Sequence, residues 1–351
     1  MEPPPIDHPS RQFIGPRCRA MDPEGTAERH SDASEGKQMT PGAGRSDPPE
    51  GPGKKAGGRT IVPLIVLIGT LWGSGFPVIR AGIVAGVPPL VFATVRYLLT
   101  GVALVAIAVA ARAPRPTLRG LLPYLLFGGL LMIGAYGAFL YLGEGSTSGG
   151  VAAVLTGSIP LATALIGYRL LPAERFGRWG VLGLIVGFTG VTTLVLPQLG
   201  SAGSNGPVGP ILVLAAVVSF AVGSVLLRTT STIAPTFWTL SAQFIVAGSA
   251  VGAAAILSGE PATIGESTVV VPEIAYLVIF AGIAAYTLYF YLHHTAGPAQ
   301  SNLVGYVNPA AGVLVGLAVF GEVVTPTEIA GLCLIVAGLF LLYRDRIQPA
   351  R

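Results

Sequence analysis

Arg96 is the residue whose type and position most clearly demand an explanation, because it lies inside the otherwise apolar segment VFATVRYLLTG. A guanidinium stays charged at any ordinary pH, so this charge needs a partner, a pocket or the edge of a membrane. Arg96 lies about 10 Å along a helix from Pro89, where its apolar run starts, at 1.5 Å per residue. We expect it to face the interior of a helical bundle. There it either attracts an anionic or carboxylate group of a ligand or clamps two helices together. Gln243, which is polar but uncharged, occupies the corresponding position in a second, similar segment.

Three prolines, Pro77, Pro160 and Pro309, lie within apolar runs and are expected to interrupt helices. Proline in a helix interior leaves the carbonyl four residues earlier without its amide partner, and such free polar groups can bind a ligand. The alternative is that serine and threonine side chains and neighbouring helices repair the kinks, so that a binding site lies elsewhere. The polar side chains beside these expected breaks are Ser74, Ser158, Tyr306 and Asn308.

Several aromatic side chains could line a cavity, because tyrosine and tryptophan combine an apolar body with a polar group. Tyr136 and Tyr286 are the candidates we retain, since they occupy the same position in the similar segments GAYGAFLYL and AAYTLYFYL. Trp72 shares one stripe of a helix with Phe76 and Arg80. Helix packing and anchoring at the membrane surface are the alternative roles, and for Arg80, near the end of its run, we favour anchoring.

The sequence offers little that an enzyme or a metal site could use. Cys18 and Cys333 have no metal-ligand spacing, and no phosphate-binding G-x-x-x-x-G-K-[ST] segment occurs. Residues 61–344 contain no aspartate, and their only histidines are the adjacent His293 and His294. We therefore expect no cofactor, no metal and no enzymatic activity. The glutamates near the ends of apolar runs are expected to be solvated or to cap helix N-termini. They are Glu144, Glu174, Glu273, Glu322 and Glu328.

The composition predicts the elements that position these residues. Of the 351 residues, 52% are hydrophobic and 11% charged, against roughly 25% charged in soluble domains. A membrane helix needs about 20 apolar residues, and backbone groups in lipid must be paired within their own segment. We therefore expect an all-α integral membrane protein with ten transmembrane helices. The ten apolar runs are 61–80, 89–111, 121–142, 149–171, 179–197, 208–228, 236–257, 272–292, 298–320 and 326–343.

Residues 1–60 differ from the rest, since they are rich in proline, glycine and charged residues. This composition predicts a disordered cytoplasmic tail. The tail lacks the apolar stretch that a signal peptide needs. An over-long gene start, with Met21 or Met39 as the true beginning, is the alternative.

The arginines predict the orientation in the membrane. With the tail in the cytoplasm, ten arginines between or after the apolar runs fall on the cytoplasmic side, and Arg80 falls on the outer side. This positive-inside bias predicts that both termini are cytoplasmic, with residues 344–351 as a short C-terminal segment. The arginines are scattered rather than gathered on one face, so nucleic acid is not an expected partner.

The two halves of the apolar region resemble each other at an offset of about 148 residues, which aligns Trp72 with Phe220. We predict two repeats, at residues 61–197 and 208–343. Each repeat holds five helices, an odd number, so the second enters the bilayer upside down relative to the first. Inverted repeats of this kind are a recurring design of secondary transporters.

The chain resembles the EamA-type members of the drug/metabolite transporter superfamily. The residues that carry the resemblance are WGSGFPVIR in the first run, FATVRYLLTG in the second, and Glu174 and Glu322 before the fifth and tenth. The resemblance covers residues 61–343 and implies ten helices in two five-helix repeats that export or take up small metabolites. Many proteins of this type carry an asparagine near position 75, where this chain has Gly75.

These observations predict a secondary transporter in a prokaryotic plasma membrane. It would move an amino acid, an amino-acid derivative or a similar small solute by alternating access, with export favoured. A lipid flippase and a scaffold or receptor without transport are the alternatives. The driving force stays open between a proton gradient and facilitated exchange.

Small residues let helices approach closely, either within the chain or in a homodimer. Those concerned are Gly180, Gly183, Gly187, Gly190, Gly331 and Gly338.

Overall fold

The structure is a computed structural model that describes residues 58–170, 177–199, 206–231, 235–262, 270–296, 301 and 303–347. Every regular element within these residues is a helix, and none of them lies in a strand. The predicted tail up to residue 57, together with Glu174 and Arg351, lies outside the described residues.

The helices follow the predicted apolar runs closely. They are α1 (Gly58–Gly73), α2 (Gly75–Val84), α3 (Pro89–Ala110), α4 (Leu118–Glu144), α5 (Gly149–Thr156), α6 (Ile159–Leu170), α7 (Arg178–Leu199), α8 (Val208–Thr230), α9 (Phe237–Leu257), α10 (270–296), α11 (Val304–Phe320) and α12 (Pro326–Ile347).

Eight helical segments of the described chain are long and apolar enough to cross a membrane. The pairs α1–α2 and α5–α6 each form one of these segments, and α3, α4, α7, α8, α9 and α10 provide the other six. Two shorter apolar helical stretches, Val304–Phe320 and Pro326–Leu342, correspond to the last two predicted runs. The fold is therefore that of an all-helical, multi-pass membrane protein.

The first and fourth predicted spans are interrupted just before a proline. Between α1 and α2 the break falls at Ser74, three residues before Pro77. Between α5 and α6 it falls at residues 157–158, immediately before the turn that contains Pro160. Proline cannot donate the backbone hydrogen bond that would continue the preceding helix, which accounts for the position of both breaks.

The ninth predicted span differs, because α11 continues without interruption through Pro309. The expectation of a break at this residue is wrong. α11 begins at Val304, so Pro309 follows only about one and a half turns of helix. The missing hydrogen bond therefore falls in the first turns of α11. Too little helix precedes Pro309 there for a bend to form.

Two helices of the structure contain π-helical segments that no pattern in the sequence indicated. Tyr124–Ala135 in α4 and Leu277–Ala284 in α10 are both wound as π-helix, and they lie at equivalent places in the two predicted repeats. Wide turns of this kind are rare and concentrate at functional sites. Tyr136 and Ala285 directly follow the two segments, so the π turns set the direction in which Tyr136 and Tyr286 point.

Helices at equivalent places in the two predicted repeats run antiparallel. At the start of α3 the Leu90 amide donates to the Glu260 carboxylate beyond the end of α9, at 3.0 Å. At the other end, the indole nitrogen of Trp238 in α9 donates to the Ala113 carbonyl beyond α3, at 3.0 Å. These two contacts join opposite ends of α3 and α9, so the two helices run antiparallel.

Contacts between helix ends also define the two ends of the bundle. We call one the carboxylate end, because Glu144, Glu260, Glu273, Glu322 and Glu328 lie there in or beside helix termini. The opposite end, the arginine end, carries the described residues Arg112, Arg115, Arg119, Arg169, Arg178, Arg228 and Arg344. Arg344 lies over the ring of Trp179, at 4.3 Å, which brings the end of α12 to the start of α7.

Glycines allow α7 and α12 to pack closely. A Cβ added at Gly338 would lie 2.6 Å from the Cα atom of Gly187 and 2.7 Å from the Gly183 carbonyl oxygen. A Cβ at Gly190 would lie 2.8 Å from the Gly331 carbonyl oxygen. Five of the glycines predicted to serve close packing therefore lie at the contact between these two helices of one chain: Gly183, Gly187, Gly190, Gly331 and Gly338.

Three glutamates at the carboxylate end are buried rather than solvated, although Glu273 and Glu328 do lie in the first turns of α10 and α12. The exposed fractions of Glu144, Glu273 and Glu328 are 0%, 7% and 6%. Glu322 does cap a helix N-terminus, as expected, but that of α5 rather than its own. Its two carboxylate oxygens accept from the amides of Gly149 and Gly150, each at 2.9 Å. The sequence could not indicate these neighbours, since they come from distant parts of the chain.

Candidate functional site

A cavity of about 350 Å³ lies among the helices of both predicted repeats. Its wall is formed by α1–α2, α3, α4, α6, α8, α9, α10 and α11. Six of the residues predicted to bind a ligand line it: Trp72, Arg96, Tyr136, Gln243, Tyr286 and Asn308. The volume falls in the usual range of small-molecule sites, roughly 300–1,000 Å³.

The lining residues come from equivalent positions in the two repeats. Five aligned pairs contribute both members to the wall of this one cavity. They are Trp72 with Phe220, Arg96 with Gln243, Tyr97 with Phe244, Tyr136 with Tyr286, and Ile159 with Asn308. The cavity therefore lies where the two halves of the chain meet.

Arg96 provides the positive charge of the cavity. Its Nη1 donates to the Tyr141 hydroxyl at 3.0 Å, and its guanidinium carbon lies 5.5 Å from the centre of the Tyr97 ring. Its Nε is buried and donates to no described residue. Within the described chain Arg96 forms no ion pair, and its recorded hydrogen bond goes to a side chain rather than to the backbone of a broken helix. The guanidinium thus retains donors for a ligand in the cavity while it also links α3 to α4.

Gln243 and Asn308 add uncharged polar groups to the wall. Gln243 is buried, and its Nε2 donates to the Thr239 carbonyl one turn earlier at 3.1 Å. Gly128 of α4 makes room for this side chain, because a Cβ there would collide with the Gln243 amide. The Oδ1 atom of Asn308 is buried without a hydrogen-bond partner among the described residues. A buried polar atom without a partner costs free energy, so Asn308 is suited to accept a hydrogen bond from a ligand.

Aromatic rings form much of the remaining wall. The indole nitrogen of Trp72 donates to the Ala281 carbonyl at 3.1 Å, and its ring lies 5.1 Å from that of Tyr286 and 5.2 Å from that of Tyr289. On the other side Tyr136 makes an edge contact with Phe220, at 5.5 Å between ring centres. These contacts fix large apolar surfaces in place around the cavity.

Three of the predicted residues do not line the cavity. Ser158 is buried, and its hydroxyl donates to the Leu155 carbonyl at 2.6 Å. Ser74 is hydrogen-bonded to the Leu71 carbonyl at 3.2 Å and to the Tyr276 hydroxyl at 2.6 Å. Tyr306 is half-buried and lies outside the wall of the cavity. At the two breaks, the serine hydroxyls thus bond carbonyls of the preceding helical turn.

Arg80 also differs from its expected role at a membrane surface. The residue is half-buried, and its guanidinium donates to the main-chain carbonyl of Glu144 at the end of α4. Arg80 therefore ties α2 to α4 at the carboxylate end. The bond matches the preference for cations at a helix C-terminus, where carbonyl groups lack partners.

Tyr97 and Phe244 are lining residues that sequence reasoning missed. Each directly follows a retained candidate, Arg96 or Gln243, so the alignment of the repeats contained the signal. Tyr289, three residues after Tyr286, also lines the cavity. Among the described residues, no group of three or more His, Cys, Asp or Glu side chains is placed to hold a metal ion.

The fold and the cavity are those of a multi-pass membrane protein with a cavity of small-molecule size among its helices. A family model described as the EamA-like transporter family matches the chain twice, over residues 59–196 and 207–344. The chain belongs to the EamA-like transporter family, consistent with the drug/metabolite transporter superfamily. The two matches are spaced like the repeats seen within the sequence.

Similar proteins carry transporter names. The chain is 30% identical to the uncharacterized inner membrane transporter YedA of Escherichia coli K12, over 81% of this chain and 92% of that protein. It is 26% identical to the uncharacterized transporter YdfC of Bacillus subtilis, over 78% and 87% of the two chains. A crystal structure described only as that of a protein shares the fold, with a TM-score of 0.58 at 21% identity over 81% of this chain and 98% of its own.

Proposed function

We propose that the protein is a secondary transporter that moves a small solute bearing a carboxylate across the plasma membrane by alternating access. The observation that carries this proposal is the shared cavity. Equivalent residues of the two repeats, such as Arg96 and Gln243, line the same cavity. Two equivalent halves around one site can exchange conformations, which gives states of similar energy that open to opposite sides.

In this proposal the chain crosses the membrane ten times as two inverted repeats. The antiparallel pairing of α3 with α9 supports the inversion, because these helices occupy the same place in the two repeats. The arginine end faces the cytoplasm according to the positive-inside rule, and the carboxylate end faces outward. Both termini would then be cytoplasmic.

The chemistry of the cavity favours an amino acid or a related solute. Arg96 offers a permanent positive charge with unused donors. A planar guanidinium can donate two parallel hydrogen bonds to the two oxygens of a carboxylate. Asn308 offers an acceptor that an ammonium or amide group can satisfy. Aromatic side chains such as Trp72 and Tyr136 supply apolar surface for a side chain. Export across the plasma membrane is the direction we favour, and the inner-membrane transporter name of one relative supports this location.

Flux measurements with purified protein in liposomes test the substrate class. Labelled amino acids and their amides, which lack the carboxylate, would be compared in wild type, Arg96→Gln and Arg96→Lys. We expect Arg96→Gln to lower carboxylate flux at least roughly tenfold, because one charged hydrogen bond is worth about 1.5–3 kcal/mol. Arg96→Lys keeps the charge and should retain part of the flux.

The folded yield of each variant distinguishes a role of Arg96 in ligand binding from a structural role in holding two helices together. If Arg96→Gln loses folded protein while the folded fraction transports carboxylates normally, Arg96 is a structural clamp. If no labelled solute crosses with wild-type protein, transport of this class is contradicted.

A further inference from the structure

Glu144 is a carboxyl group that the proposed transport site does not use. It is the last residue of α4, its exposed fraction is 0%, and both side-chain oxygens lack a hydrogen-bond partner among the described residues. An isolated carboxylate in such surroundings costs so much free energy that the group takes up a proton instead. This carboxyl group is therefore suited to bind a proton.

The charged groups around Glu144 are all engaged elsewhere. Arg80 on α2 bonds the main-chain carbonyl of Glu144 and not its carboxylate. Arg96 on α3 donates to Tyr141. Glu322, which precedes α12, gives its carboxylate to the amides at the start of α5. Arg80, Arg96 and Glu322 are the charged groups that act on Glu144 through space, and none forms an ion pair with it within the described chain.

The other helices around Glu144 leave it without compensating charge. α8 packs against the end of α4 with Gly209 and Val213, and α5 carries no titratable residue between Gly149 and Thr156. On its own helix the nearest titratable groups are the hydroxyls of Tyr136 and Tyr141. The site is therefore apolar, with two arginines and one glutamate at its edges.

Glu144 lies at the carboxylate end, one helical turn beyond Tyr141. Tyr141 precedes it by three residues, so the two side chains share one face of α4. Tyr141 in turn accepts the hydrogen bond of Arg96, which lines the cavity. At the same end Glu322 accepts from two amides of the first turn of α5, a contact that links the start of α5 to the segment before α12.

We propose that Glu144 is the proton-binding residue of the transport cycle, an inference that rests on the proposed function. When the carboxylate end is open, water reaches Glu144 and the group is ionised. It takes up one proton from that water before the end closes, because the charged form cannot be buried without a partner. When the cavity opens to the other side and water reaches the group, the proton leaves Glu144. The positive charge of Arg96 then stabilises the carboxylate. One proton thus moves inward for each solute exported.

Infrared spectroscopy of the purified full-length protein tests proton binding without any substrate. The carbonyl stretch of a protonated carboxyl group would be recorded as a function of pH in wild type, Glu144→Gln and Glu260→Gln. We expect Glu144→Gln to lose one titrating band. Glu260→Gln should retain it, since the Glu260 carboxylate already accepts from the amides of Leu90 and Val91. An unchanged spectrum in Glu144→Gln would overturn the inference.

A second variant covers the case in which Glu144→Gln does not fold. Glu144→Asp keeps an ionisable group on a shorter side chain, so the midpoint of the band should shift along the pH axis. A midpoint identical to that of wild type would also overturn the assignment.

Liposomes with an imposed pH gradient test coupling. Glu144→Gln, which mimics the protonated group, should exchange labelled substrate for unlabelled substrate but lose accumulation driven by the gradient. Accumulation equal to that of wild type would contradict coupling through Glu144. If the wild type moves no solute at all while the infrared band behaves as expected, the proposed function fails and proton binding at Glu144 stands.

Discussion

At the scale of single residues, Arg96 and Glu144 show how far the sequence can be interpreted. Arg96 was recognisable because a permanent charge inside an apolar run requires an explanation, and the cavity provides one. Glu144 lies at the end of its run, where a carboxylate usually meets water. Its burial depends on helices such as α2 and α8, which are distant from it in the sequence. Ser74 and Ser158 failed as cavity residues because each hydroxyl bonds a carbonyl three residues earlier, which spacing alone cannot predict.

Tyr141→Phe tests the link between Arg96 and α4. The substitution removes the phenol oxygen that accepts from Arg96 and leaves the buried ring in place. Side-chain hydrogen bonds within membranes are worth about 1 kcal/mol, so we expect a small loss of thermal stability. We also expect a higher KM for carboxylate solutes, because Arg96 is held less firmly. The measurements are thermal unfolding and flux, with Tyr291→Phe on the exposed surface as control. Unchanged stability and KM would contradict this role.

At the scale of helices, the sequence predicts position better than shape. Apolar length alone located the helices, since backbone groups in lipid must pair within their own segment. Breaks were predicted correctly near Pro77 and Pro160 and incorrectly at Pro309, because a proline close to the start of a helix does not interrupt it. The π-helical segments depend on how α4 and α10 pack, and no local signal indicated them.

The contact between α7 and α12 gives a prediction about packing. Gly338→Leu should destabilise the protein by about 1–3 kcal/mol, because the added atoms would collide with the backbone of Gly183 and Gly187. Ala330→Leu, on an exposed part of the same helix, should have little effect. Thermal unfolding in detergent compares the two variants. Equal unfolding temperatures of the two variants would show that α7 and α12 can move apart without loss of stability.

The contact between Glu322 and α5 gives a prediction about how often the carboxylate end of the bundle opens. Glu322→Ala removes both acceptors of the amides at Gly149 and Gly150, and each charged hydrogen bond contributes about 1.5–3 kcal/mol. The carboxylate end should then open more often. A cysteine at the buried position Thr147 reports this opening, and we expect it to react with maleimide at least roughly tenfold faster in Glu322→Ala. The same labelling rate with and without Glu322 would show that this contact does not close the end.

At the scale of the whole molecule, one duplicated unit accounts for the arrangement of both cavity and scaffold. The family model matches each half, and equivalent residues such as Trp72 and Phe220 line the same space. The repeat could be recognised in the sequence because aligned residue types survive in both halves. The placement of Tyr97 and Asn308 around one cavity required the packed helices.

The most direct test of the account is the sidedness of Ala111 and Ser258. These exposed residues cap the C-termini of α3 and α9, so they are equivalent positions of the two repeats. Each would be replaced by cysteine in a chain that carries Cys18→Ser and Cys333→Ser, and intact cells would be treated with a membrane-impermeant maleimide. An inverted repeat predicts that Ser258→Cys is labelled in intact cells and Ala111→Cys only after permeabilisation. Labelling of both positions from the same side would contradict the inversion, and alternating access between inverted halves with it.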